Sequence, residues 1–186
     1  EWTMVNKSRC EASVLKKDDH KDISSKKPLH LFVAPLKNQN RWEEILDMGT
    51  QIGVASFTPL ITERTEALAL RKPERLHRII QEAAELSGRT KLPSLEAATT
   101  FSDLLRKPGE KNHLRLLATL HERNKKISDI LLENTPVQLF IGPVGDFTKE
   151  EVKQAIEAGF QPISLGTQVL RTETAAIVAA ALLLQR

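Results

Sequence analysis

Val137-Gln138-Leu139-Phe140-Ile141-Gly142-Pro143-Val144-Gly145-Asp146-Phe147-Thr148-Lys149-Glu150-Glu151 holds, in one run, the parts of a strand-to-helix unit. Residues 137–141 are an apolar stretch of the length of a buried strand. Gly142 and Gly145 then permit a tight path and a close approach of backbone to a ligand. Thr148 and Glu151 follow at the Thr-x-x-Glu spacing of a capping box, where hydroxyl and carboxylate each take an orphan amide of a helix end. Gly159 closes that helix.

The same rhythm continues on both sides. Upstream, Leu29 to Leu36 reads as a buried strand, and Trp42, Ile45, Leu46, Gly49 and Ile52 lie at helical spacing with Gly53 as the stop. Ser56 to Thr62 is a second strand. Pro73 opens a helix with Leu76, Ile79, Ile80 and Ala83 on one face and Gly88 as a left-handed C-terminal cap. Its other face carries Arg75, Arg78, Glu82 and Glu85, read as a solvated surface. After Pro93 come a short strand and a helix from near Thr100 with Phe101, Leu104 and Leu105. Leu114 to Leu120 is a strand, and Ser128 to Leu132 a helix. Downstream, Pro162 to Leu165 is a strand, and the last helix is apolar all round over Ala175 to Leu184. Strands alternating with helices predict an α/β fold, a mostly parallel sheet with helices on both faces.

Residues 1–27 stand apart. They are polar and lysine-rich, with Glu11 to Leu15 as a strand-like stretch and Lys16 to Lys27 as a linker, so the domain is expected to span 28–186.

Composition narrows the classes. The chain has 186 residues, 40% hydrophobic and 27% charged, which supports a packed core rather than disorder. Only 4% are aromatic, with no Tyr, so a platform of stacked aromatic rings for bases is poorly supplied. The net charge of +3 is compatible with an RNA or phosphate partner without requiring one. Cys10 is the single cysteine, so neither an internal disulfide nor a cysteine zinc site is expected. The five histidines lack ligand spacing, and no metal site is expected. The longest apolar run, Ala175 to Leu184, falls short of the roughly 18–20 residues of a membrane span. A reducing compartment, the cytoplasm or an organellar matrix, is the expected location.

Open α/β sheets bind ligands beyond the carboxyl ends of their strands. Three such ends stand out: Leu117 to Glu122, Ile141 to Phe147, and Leu165 to Thr174. Neither Gly-x-Gly-x-x-Gly nor a P-loop occurs, so a dinucleotide fingerprint and a nucleotide-triphosphate loop do not explain them. In Arg171-Thr172-Glu173-Thr174, Thr172 reads as a helix N-cap and Glu173 as a first-turn acid. Arg171 at the mouth of a glycine turn is equally placed to meet a phosphate or an anionic base. The residues alone leave both readings open.

Residues 141–147 and 165–175 resemble the closing motifs of the RsmE family, the 16S ribosomal RNA uridine N3-methyltransferases of the SPOUT superfamily. The likeness extends upstream. Gly53-Val54, Thr58-Pro59-Leu60 and Glu63-Arg64 follow the family's GV…TPL…ER stretch, and Arg75 to Arg89 with Pro93 follows its EAAEQSGR…P helix. The chain departs from the family's Gly-Pro-Glu-Gly-Gly-Phe at Val144 and Asp146, and from its LGxRILR at Gln168. Met48, Gln51 and Leu86 replace a usual Lys, Glu and Gln.

The resemblance implies a SPOUT domain with a C-terminal trefoil knot whose loops hold S-adenosylmethionine. By motif position it assigns the cofactor to Thr119 and Leu120, to Ile141, Gly142, Pro143 and Gly145, and to Leu165, Gly166, Val169 and Leu170. It makes Arg171 the candidate to steady the uridine anion or a flanking phosphate, and Glu173 a candidate for proton handling. It implies small-subunit ribosomal RNA as partner, a homodimer paired across the knot, and residues 1–27 as the remnant of an N-terminal PUA-like RNA-binding domain. A diverged SPOUT protein binding RNA or a partner without catalysis is the alternative, motivated by Val144, Asp146 and Gln168. An α/β enzyme of another nucleotide is a third reading.

Overall fold

The computed structural model describes residues 2–5, 10–12, 27–106, 113–121, 125–130 and 135–185. Strands β1 (Trp2–Val5) and β2 (Cys10–Ala12) pair antiparallel in a small sheet of their own. The strand expected at Glu11 to Leu15 starts one residue earlier, at Cys10, and residues 13–15 of it lie outside those described. Its partner Trp2–Val5 went unpredicted, because alternation over so few residues does not stand out from a polar tail.

The main body begins at β3 (Leu29–Val33) and continues through α1 (Gln39–Ile52), β4 (Ser56–Ile61) and α2 (Pro73–Leu86). Short strands β5 (Ser94–Leu95) and β6 (Thr99–Thr100) lead to α3 (Phe101–Arg106) and β7 (Leu114–Ala118). Then come β8 (Val137–Ile141), α4 (Lys149–Glu157), β9 (Gln161–Ile163) and α5 (Thr172–Leu184). The order across the sheet is β5-β4-β3-β8-β7-β9, with β6 also beside β4, and every pairing in it is parallel.

Three expectations need correction. Ser128 to Leu132 does not start an α-helix: Ile127–Asp129 is one 3₁₀ turn, and residues 131 and 132 lie outside those described. The strand placed at Pro162 to Leu165 runs Gln161–Ile163, because Leu165 already belongs to the turn into Gly166. Arg75 is not simply solvated, as shown below.

Side chains alternate across each strand. Leu29, Leu31 and Val33 face one core with Leu139, Ile141 and Leu116, covered by Trp42, Ile45 and Leu46 of α1, Leu76 and Ile80 of α2, and the alanines of α5. Phe32, Leu117 and Phe140 face the other side, where Phe101 of α3, Val152 and Ala155 of α4, and Phe160 cover them. Helices thus lie on both faces, as the alternation of elements predicts. Five of the six phenylalanines pack into this second core, with Phe32 stacked on Phe140 at 4.4 Å. Trp42 and Phe57 are buried in the first core, so these seven rings do not form an exposed stacking surface. Burying each such side chain contributes about 1.5–3 kcal/mol.

The helix ends follow their sequence signals. Asn38 caps α1 by accepting the Asn40 amide at 3.1 Å, and Gly53 stops it at φ 108°. Thr148 and Glu151 form the complete capping box. On α2, Arg75 reaches across to Glu43 of α1, donating from Nε and Nη2 to both carboxylate oxygens at 2.7–3.0 Å. Glu43 is 8% exposed and also accepts from Gln39 at 3.1 Å. The guanidinium on its carboxylate is the largest influence and holds Glu43 below the ordinary carboxylate range.

A pH dependence follows. Because the native-state value is lowered, the pair stabilises the fold above the ordinary carboxylate range, and that contribution fades as pH falls through the lowered value. Glu43→Gln is expected to melt below wild type near neutral pH, with the two melting temperatures converging on acidification in thermal denaturation followed by circular dichroism. A gap that stays constant with pH would show that ionisation of Glu43 contributes nothing.

Candidate functional site

Parallel register sets the site. Val33 pairs with Ile141, Ile141 with Ala118, and Ala118 with Ile163, so β3, β8, β7 and β9 end at one level. The three singled-out segments leave the sheet together there. They surround a cavity of about 410 Å³, within the size range of small-molecule sites.

The segment after β7 is held to β9 by the Thr119 amide on Ile163 O at 3.2 Å. The segment after β8 is fixed from below. Phe147 is fully buried against Phe101, with ring centroids 5.0 Å apart, and its ring lies directly beneath Gly142. A Cβ on Gly142 would meet that ring at 3.0 Å and the Phe147 amide nitrogen at 3.2 Å, so a side chain here requires the ring or the backbone to give way. The segment after β9 turns at Gly166, whose φ of 134° suits glycine alone. Ser164 Oγ brackets this turn, accepting from Gly166 N at 3.3 Å and donating to Gly166 O at 3.2 Å.

The segments are also tied to one another. Thr172 Oγ1 donates to Gly142 O at 3.2 Å. The Asp146 carboxylate accepts from Thr119 Oγ1 at 2.9 Å and from the Leu120 amide at 2.7 Å. The predicted cap at Thr172 is thereby corrected: Arg171 holds the N-cap position of α5 without a side-chain cap bond, and Thr172 is the first helical residue. Its hydroxyl joins two loops instead of closing its own helix.

Nine of the ten residues assigned to a cofactor line this cavity: Thr119 and Leu120, then Ile141, Gly142 and Pro143, then Leu165, Gly166, Val169 and Leu170. Gly145 does not. It lies in an adjoining groove, where its carbonyl accepts from Arg64. Arg171 and Glu173 are both at the cavity wall. Glu173 is nearly buried and pairs with Arg41 at 3.6 Å.

Arg41 was missed in the sequence. It lies in the first turn of α1 and reaches the cavity only because β3 neighbours β8, which no local pattern reveals. Ser164 and Asp146 also line the wall, Asp146 having been noted only as a departure from a motif. Chemically, the cavity offers apolar surface at the partly or largely exposed Leu120, Val144 and Val169, a backbone edge bared by Gly142 and Gly166, and two guanidinium groups. That set suits a ligand with an apolar ring and polar or charged ends. Among the described residues no cluster of His, Cys, Asp and Glu is arranged to hold a metal ion.

Comparison with known proteins gives a consistent picture. A family model described as an RNA methyltransferase domain matches residues 24–184. The chain is similar to a ribosomal RNA small subunit methyltransferase E of Synechocystis, 39% identical over 83% of this chain and 52% of that protein. It is similar to another so named from Rickettsia conorii, 37% identical over 91% of this chain and 69% of that one. Among solved structures, a ribosomal RNA small subunit methyltransferase E from Neisseria gonorrhoeae, bound to S-adenosyl methionine, superposes with a TM-score of 0.86 at 31% identity. That match covers 97% of this chain and 74% of the other. The chain thus spans about half the length of the Synechocystis relative.

Gly142→Ala is the sharpest test of the cavity wall. The added methyl is expected to cost about 1–3 kcal/mol through overpacking against Phe147, read by chemical denaturation. Ligand affinity should fall as the 142–147 segment shifts. Unchanged stability and affinity would show that the segment has room to spare.

Proposed function

We propose, from the premise that this chain belongs to the RNA methyltransferase domain family, that it transfers a methyl group from S-adenosylmethionine to N3 of a uridine in small-subunit ribosomal RNA. The observation that carries this reading is the single cavity made by three segments at flush parallel strand ends, with Arg171 and Arg41 at its wall. The relatives named for small-subunit ribosomal RNA methylation support the substrate class. The Neisseria structure supports the cofactor.

The residues present fit that cofactor. The cavity volume is ample, and Leu120, Val144 and Val169 offer apolar surface to an adenine ring. Gly142 and Gly166 leave backbone groups free to approach the ligand. The motif departures do not close the cavity: Val144 is 84% exposed, Gln168 is exposed, and Asp146 is absorbed into hydrogen bonds. When bound, the cofactor supplies an electrophilic methyl group on a sulfonium.

The chain's own work is positioning and charge control. Uridine N3 carries a proton at neutral pH, and losing it leaves negative charge spread over the imide. Arg171, exposed at the cavity wall, presents a planar guanidinium that matches such an anion or a flanking phosphate. Glu173, in an ion pair with Arg41 at 3.6 Å at the cavity wall, is the proposed group for proton handling. A groove lined by Lys37, Arg41 and Arg64 with Glu66 adjoins the cavity, sharing Arg41, Pro143 and Val144 with it. RNA phosphates approaching along this groove would bring a base, unstacked, to the cavity mouth.

The same reading places a homodimer on α5, whose Val178 and Leu182 remain partly exposed while Ala176, Ala179, Ala180 and Leu183 face the core. The trefoil knot belongs to it as well, supported by a chain that leaves edge strand β9 and returns to pack α5 on β3 and β8. Residues 1–27 would belong with an RNA-binding module, consistent with β1 and β2 forming a separate sheet. The cytoplasm or an organellar matrix is the proposed location. No helix among the described residues is long and apolar enough to cross a membrane.

Calorimetry of the folded chain is expected to show S-adenosylmethionine binding, and its absence would remove this reading. Arg171→Ala should lower turnover on ribosomal RNA while leaving S-adenosylmethionine affinity within about tenfold, roughly 1.4 kcal/mol. Collapse of cofactor binding instead would make Arg171 part of the cofactor pocket.

A further inference from the structure

Asp146 is the residue of the cavity that the motif leaves least explained. Its backbone has φ 60°, in the left-handed region where glycine is favoured and aspartate is among the better-tolerated alternatives. The turn Pro143 to Asp146 closes with the Asp146 amide on Pro143 O at 2.9 Å. That turn swings the carboxylate inward, onto the segment after β7. One oxygen accepts from Thr119 Oγ1 and the Leu120 amide, and the other from the Phe147 amide at 2.8 Å. All three donors are neutral. The cavity's other carboxylate, Glu173, is paired with Arg41, whereas Asp146 makes no ion pair among the described residues.

Two consequences follow from this arrangement. The carboxylate ties the Thr119–Leu120 segment to the 142–147 segment, so both stand in place before a ligand arrives, which lowers the ordering cost of binding. It also leaves a negative charge at the cavity wall on a half-buried residue, where screening by solvent is weaker than at an open surface. Such a charge distinguishes a cationic ligand from a neutral one of nearly the same shape. A sulfonium and the thioether left after its methyl departs form that kind of pair.

We propose that Asp146 is a specificity-determining residue: its hydrogen bonds hold two walls of the pocket together, and its charge makes the pocket favour the sulfonium cofactor over the neutral thioether product. This rests on the cofactor reading above. Asp146 acts on discrimination between the two ligands and on release of the product, not on the methyl transfer itself.

The test is calorimetric titration of the full chain, wild type, Asp146→Asn and Asp146→Gly, with S-adenosylmethionine and with S-adenosylhomocysteine. Asparagine keeps an acceptor oxygen for Thr119 and Leu120, and with it the tie between the two segments, but removes the charge and gives up the bond from the Phe147 amide. It is expected to weaken the sulfonium ligand about tenfold and to leave the thioether within about twofold. Glycine suits the positive φ, so the turn is retained while the tie is lost. The thioether is then expected to weaken about fivefold as well. An Asp146→Asn variant whose ligand ratio matches wild type, including one that weakens both ligands alike, overturns the charge discrimination. An Asp146→Gly variant that binds the thioether as wild type does overturns the tie. A wild-type chain that binds neither ligand overturns the cofactor reading together with this one, whereas binding with an unmoved ratio overturns this one alone.

Discussion

Strand β8 lies between β3 and β7, parallel to both and in unbroken register over all five of its residues. Its alternation puts Val137, Leu139 and Ile141 into one core and Phe140 into the other, so a slip of one residue would exchange the two sets. The two buried faces therefore fix the register, and the register fixes the level at which Val33, Ala118, Ile141 and Ile163 end. Every later feature of the cavity depends on that level. Displaced by a residue, the three segments would leave the sheet at different heights and enclose nothing.

From that platform the segments are held by different means. Phe147 anchors the central one from beneath, with its ring in the aromatic core and Gly142 resting on it. Thr172 and Asp146 then join the neighbouring segments to this anchored one through hydrogen bonds between residues far apart in the chain. The pocket is thus organised by the protein's own contacts, which is the condition for binding that does not spend its free energy on ordering loops. Arg64 extends the scheme outward, holding the Gly145 carbonyl from the loop after β4, while the amide of Glu63 is held by Glu151.

Charge is arranged with the same economy. Arg75 and Glu43 neutralise each other between α1 and α2, away from the cavity lining, and Arg41 and Glu173 do so at its wall. Arg171 is exposed at the cavity wall, and Arg64 and Lys37, the latter paired with Glu66 at 3.6 Å, lie along the adjoining groove. The cations of this face that have no carboxylate partner among the described residues are Arg171 and Arg64. Affinity for a polyanion depends on where cations gather more than on their sum.

Much of this was legible in the sequence where the signal is local. The apolar runs of β3, β7 and β8, the helical spacing of Trp42, Ile45 and Leu46, the Thr148–Glu151 box and the glycine stops each depend on residues within a turn or a strand of one another. The boundary errors fall where that signal is thin, at a hairpin of three and four residues, a single 3₁₀ turn and the end of β9. The motif resemblance reached further and brought the three cavity segments together, but it could assign residues only by position, so it included Gly145 and passed over Arg41. What the tertiary structure alone decided is which distant groups meet. Arg75 reads as solvated until α2 lies against α1 and brings Glu43 to it. Thr172 reads as a cap until Gly142 comes within reach of its hydroxyl. Asp146 reads as an intrusion into a glycine turn until the β7 segment gives its carboxylate Thr119 and Leu120 as donors. A sequence determines short-range geometry because neighbouring residues share one backbone path. The partners of a long-range hydrogen bond are chosen only by the packing of the sheet that carries them both.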